Sequence, residues 1–93
     1  SVYTLADGTH RVAGDAPIGS VNEAFGTTFS DADFDTIGGL VAHEFNRVPR
    51  RGEMVDVGGL RFSVMLTRGG AVRWFRVSRL ATEQQGDSSA DAD

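Results

Sequence analysis

Apolar residues follow two rhythms along this chain, a helical one in the first half and an alternating one in the second. Ile37, Leu40, Val41, Phe45 and Val48 recur at spacings of 3, 1, 4 and 3, which puts them on one stripe of a helix. Asp35 or Thr36 is placed to accept from the free N–H groups that open it. Arg47 lies near its negative end, and Pro49 stops it. Gly38 and Gly39 interrupt this pattern and give up about 2 kcal/mol of helix propensity relative to alanine. Such a pair predicts the close approach of another backbone or a ligand. Upstream, Ile18, Val21 and Phe25 predict a shorter helix, with Pro17 in its first turn, Asp15 as its cap and Gly26 as a left-handed terminator.

After Gly52 the period changes to 2. Residues 53–57 read as a strand and Gly58-Gly59 as a hairpin turn. Leu60, Phe62, Val64 and Leu66 then alternate with Arg61, Ser63 and Met65. Gly69-Gly70 is the next turn, and residues 71–79 are the last strand. Residues 2–5 and 10–13 are short extended candidates around Asp7-Gly8, 27–29 are extended or irregular, and 30–34 form a capped turn. The expected fold is α+β: two short helices on one face of a small, mainly antiparallel sheet that ends in a three-stranded meander. The last strand carries a phase conflict. Phe75 and Val77 share one face, whereas Val72 and Trp74 share the other if the strand is regular. Either a bulge resets the phase or Trp74 points away from the helices.

Length and charge narrow this further. Ninety-three residues make one domain with a thin core, here 1–80, followed by a polar stretch at 81–93. That stretch holds Glu83, Asp87, Asp91 and Asp93 and no base. The remaining 9 acids match 9 arginines, so the net charge of −4 comes from 81–93. The acidic balance argues against nucleic acid as the partner. Absence of cysteine excludes disulfides and thiolate metal sites, as befits a reducing compartment. No apolar run approaches the ~18–20 residues of a membrane span. Ser1-Val2-Tyr3 reads as the interior of a longer protein.

Four constellations could carry chemistry. Asp31, Asp33 and Asp35 open like a calcium loop of the EF-hand type, but Thr36 and Ala42 stand where that loop needs glycine and a bidentate acid. They are expected to favour the positive end of the following helix, with at most a weak, adventitious divalent ion. Arg47, Arg50 and Arg51 cluster beside Glu53; with Gly38 and Gly39 they are candidates to hold a nucleotide or other anion, against the plainer expectation of local ion pairs. Arg61, Met65, Trp74 and Arg76 are expected on the sheet's outer face. Aromatic plus arginine suits protein interfaces. It also suits single-stranded nucleic acid, which the charge balance disfavours. His10 and His43 lack neighbouring ligands in the sequence, and no nucleophile–base pairing or phosphate loop is visible, so neither an enzyme nor a bound cofactor is expected.

The series Asp35-Thr36-Ile37-Gly38-Gly39-Leu40-Val41, then Val48-Pro49 and Gly52-Glu53, resembles the signature of the CorC/HlyC transporter-associated domain. The likeness extends through Arg11–Asp15, Ile18 and Val21–Gly26 upstream, and through Val55, Gly58–Phe62 and Val77 downstream. Two departures stand out: Asn46 where glycine is common, and Trp74 where a smaller or polar residue is common. The resemblance implies a small α+β unit without catalytic residues, placed after a membrane domain and a pair of CBS domains. It implies a non-catalytic role on the cytoplasmic face of the membrane, modulating magnesium or cobalt efflux by contact with those domains or with a second copy.

Overall fold

The elements follow one another as β1 (Val2–Thr4), β2 (His10–Ala13), α1 (Ile18–Phe25), α2 (Ile37–Phe45), β3 (Met54–Val57), β4 (Leu60–Arg68) and β5 (Ala71–Arg79). They belong to a computed structural model that describes residues 2–80; the acidic stretch 81–93 lies outside the described residues. The five strands form one antiparallel sheet in the order β1-β2-β5-β4-β3. Period-2 alternation sends Leu60, Phe62, Val64, Phe75 and Val77 inward. There they meet Ile18, Val21 and Phe25 of α1 and Ile37, Leu40 and Val41 of α2 in one buried cluster. Phe62 and Phe75 pack edge-to-face at its centre, with ring centroids 5.5 Å apart.

The helix ends depart in part from expectation. Thr36 caps α2, its hydroxyl accepting from the Gly39 N–H at 3.2 Å. Asp15 does not cap α1: Pro17 holds the cap position, without a side-chain bond. Instead the two helix starts tie each other. Ile37 and Gly38 donate to the Ala16 and Gly14 carbonyls, Ile18 donates to Asp35, and Pro17 bridges Thr36. Asn46 ends α2 in the left-handed region at φ 67°, before Arg47 and Pro49 are reached. Val48 is therefore not on the helical stripe. It lies past the helix and is 41% exposed.

The phase conflict in β5 is answered by two irregularities. Val64 faces Phe75 but Leu66 faces Trp74, so β4 carries one extra residue, Met65. Thr67 then faces Val72, so β5 carries one extra residue, Arg73. Val72 is thereby returned to the core, and Trp74 is left on the outer face. Leu66, expected inside with Val64, is turned out beside Trp74.

Candidate functional site

The side of the sheet away from the helices is the candidate site. Register places Tyr3, Arg11 and Arg76 in line across β1, β2 and β5, and Ser63, Met54 and Arg61 on the same face of β4 and β3. Arg11 stacks over the Trp74 ring, its guanidinium carbon 3.8 Å from the centroid. Tyr3 stands 6.1 Å from the same ring. Around them Tyr3, Met54, Met65 and Leu66 are exposed. Arg61 is held by a bidentate pair with Asp56, at 2.8 and 3.0 Å. That contact lowers the Asp56 carboxyl below its ordinary range. Trp74, Arg76 and Arg61 thus come to one face as expected, with Met65 on its bulged border. Tyr3 and Arg11 complete it, and sequence reading missed them. Their signal was the two short extended stretches 2–5 and 10–13, which become useful only once β1 is known to pair with β2 and β2 with β5.

The glycine–arginine group is spread over two adjoining depressions that share Val48 and Gly70. Gly38 and Gly39 line a depression with Gly14, Ala42, Val48 and Gly70. Arg50 lines another with Pro49 and Arg68, and Arg47 and Arg51 border neither. The first N–H groups of α2 are already used: Ile37 on Ala16, Gly38 on Gly14 and Gly39 on Thr36. The helix start therefore has no spare donors for a phosphate. Arg47 is bound to Glu53 through both carboxylate oxygens, at 2.9 and 2.7 Å. The Arg50 N–H donates to the same carboxylate at 2.6 Å. These contacts, Arg47 first, hold the Glu53 carboxyl down to about 2.

Asp31, Asp33 and Asp35 are exposed along the loop before α2. Among the described residues, no group of three or more His, Cys, Asp or Glu is arranged to hold a metal ion. His43 is exposed beside Phe34, and His10 packs edge-on against Phe25. No helix among the described residues is long and apolar enough to cross a membrane.

The model of the CorC_HlyC family, a transporter associated domain, matches residues 4–81. The chain belongs to that family. It is 48% identical over 62 residues to the magnesium and cobalt efflux protein CorC of Escherichia coli K12, a match covering 67% of this chain and 21% of that protein. The chain thus spans about a fifth of the length of the relatives it matches. Among solved structures, the CorC-associated region from Neisseria meningitidis superposes with a TM-score of 0.81 at 33% identity, covering 85% of this chain and 98% of that one. A CorC_HlyC domain from a Xylella fastidiosa hemolysin, determined in complex with magnesium and manganese, superposes with a TM-score of 0.76 at 26% identity, covering 85% of this chain and 96% of that one. The two-helix, five-strand architecture is the fold of this family.

Proposed function

We propose that this CorC_HlyC domain is a non-catalytic docking and regulatory module of a larger membrane protein of the magnesium and cobalt efflux type. It acts from the cytoplasmic side, and its outer sheet face contacts the neighbouring CBS and membrane domains or a second copy. The observation that supports this reading is the cluster of Tyr3, Leu66 and Trp74 with Arg11 and Arg76 on one face that no element among the described residues covers. Tyrosine, tryptophan, methionine and arginine are the residues that protein interfaces enrich. On a domain this small, an exposed apolar patch marks a contact surface.

The test is cation efflux from cells carrying the parent protein. Trp74→Ala combined with Arg76→Glu is expected to change efflux as much as removal of residues 1–93 does. Unchanged efflux and regulation in both would overturn the reading. Saturable heat on adding adenine nucleotides to the domain, lost in Arg51→Ala, would replace it with ligand sensing. Single-stranded nucleic acid would reveal itself by an affinity that falls steeply with salt. Because the Xylella fastidiosa domain was determined with magnesium and manganese, the same preparation is titrated with Mn²⁺ and read at Asp31, Asp33 and Asp35. Binding that does not saturate below about 1 mM is expected from exposed, ungathered carboxylates.

A further inference from the structure

The outer face carries its charge at the centre and its most exposed apolar side chains at the edges. Across the middle of the sheet, Arg11 of β2 and Arg76 of β5 stand directly opposite each other, an arrangement of like charges that weakens a sheet. Neither belongs to an ion pair among the described residues. The large ring between them and the hairpin tip, Trp74, lies under the Arg11 guanidinium. The row through Arg11 and Arg76 ends in Tyr3 on one edge strand and Met54 on the other, 55% and 56% exposed. Met65 and Leu66 border the face towards the far end of β4. A protein interface has the reverse anatomy, an apolar centre within a polar rim. A protein partner would have to bury carboxylates against both arginines, and desolvating such pairs offsets most of what they gain.

Charge is also sorted between the two sides of the domain. Asp56 on the outer face is taken by Arg61. The Asp7 carboxyl feels Arg76 but accepts from the Thr9 N–H and hydroxyl, at 3.0 and 2.6 Å. Arg68 and Arg73 add positive charge beside Tyr3 and Trp74, around a depression of ≈ 380 Å³ that also touches Asp15. Glu23 in α1, Glu44 in α2, and Asp31, Asp33 and Asp35 in the loop between the helices lie on the other side. The domain therefore has a positive pole at its sheet face, although the whole chain carries −4. A negatively charged plane turns such a body sheet-first towards itself.

We propose that the outer face rests on the anionic lipid surface around the membrane domain, with lipid phosphates on Arg11, Arg76, Arg68 and Arg73. This rests on the docking reading and names what the face meets beside the membrane. Arginine forks match phosphate oxygens. Tyr3 and Trp74 sit at headgroup level, where such rings settle. The headgroup layer is wet, so the central arginines keep their hydration and no buried pair has to form. Each arginine close to an anionic surface strengthens binding about fivefold.

The 93-residue chain is sedimented at low salt with vesicles of phosphatidylcholine and phosphatidylglycerol in equal parts, and with phosphatidylcholine alone. Binding to the mixed vesicles alone is expected, with a blue shift in the emission of Trp74, the single tryptophan, and release by about 0.5 M salt. R11Q and R76Q are each expected to weaken binding about fivefold. R68Q/R73Q, exposed at the hairpin tip, gives the same direction of change without touching the Trp74 stack, and melting curves show that each variant is folded. E23Q/E44Q raises the net charge as much as R11Q/R76Q lowers it, yet is expected to leave binding within about twofold, because those acids face away from the lipid. Sedimentation with neither vesicle, or with both alike, would overturn the proposal. So would full binding by R11Q/R76Q and R68Q/R73Q, or a gain in E23Q/E44Q equal to the loss in R11Q/R76Q. If vesicles are not bound while Trp74→Ala with Arg76→Glu still alters efflux from the parent protein, the face docks on protein, and the docking reading stands without the lipid.

Discussion

Gly38 donates its N–H to the Gly14 carbonyl at 2.8 Å, and a Cβ on Gly38 would lie 2.7 Å from that same oxygen. Gly14 is in turn pressed against the Val72 carbonyl of β5, where a Cβ has no room. The start of α2, the end of β2 and the bulged part of β5 are therefore stacked backbone on backbone. The neighbouring Gly39 is different. A Cβ there would meet Thr36 and Phe34 at 3.5 and 3.6 Å, which is ordinary contact. Gly38→Ala is expected to lose about 1–3 kcal/mol through overpacking. Gly39→Ala is expected to gain up to about 1 kcal/mol from helix propensity. Urea unfolding of the two variants checks this, and equal effects would contradict it.

At the other end of α2, Asn46 holds φ 67°. Asn46→Ala is expected to lose about 1–2 kcal/mol, because a side chain without a local hydrogen bond resists that conformation. Asn46→Gly is expected to be neutral or stabilising, because glycine adopts that conformation without a Cβ penalty. Thermal melts of the pair separate backbone strain from any loss of side-chain contact.

Glu53 sets an acid-side limit on the loop after α2. Its carboxyl is lowered from 4.5 to about 2 in the folded chain, so the folded state binds its proton less readily than the unfolded one. Its stabilising effect is complete above about 4.5 and disappears as pH falls towards about 2. Solvent screening keeps it small at this exposed site. Carbon-detected NMR titration of the Glu53 carboxyl should give a midpoint near the lower value. Arg47→Ala should return it towards the ordinary one. In Glu53→Gln, the fall of melting temperature across that window should be shallower.

Arg11 and Trp74 should be energetically coupled. A double-mutant cycle with Arg11→Ala and Trp74→Ala is expected to give about 0.5–1 kcal/mol, as for an exposed cation–π contact. A coupling of zero would mean that the stacking seen at 3.8 Å is not maintained in solution.

Most of the fold could be read locally. The stripe Ile37, Leu40, Val41, the left-handed Gly26 and the Gly58-Gly59 turn each depend on residues close in sequence, and each stands where expected. Misreadings arose where distant segments decide. The Gly38-Gly39 pair announces a close approach but not that Gly14 makes it. Val48 continues the helical spacing, yet Asn46 has already turned the chain away. Leu66 keeps its alternation in sequence and loses it to pairing with β5. For the site, Trp74 and Arg76 could be placed from their own strand. Arg11 and Tyr3 could not, because their neighbours belong to a strand more than half the chain away.

The extra residues Met65 and Arg73 offset one another: one lies on each arm of the same hairpin. Loss of either alone would keep Val72 inward and Leu66 outward only while the other arm holds its bulge; a ladder regularised around a single loss would expose Val72 or bury Leu66. Loss of both would leave an uninterrupted ladder with every inward and outward position unchanged. A matched change of one residue per arm therefore needs no compensation, whereas an unmatched change in that hairpin has to be absorbed as a bulge.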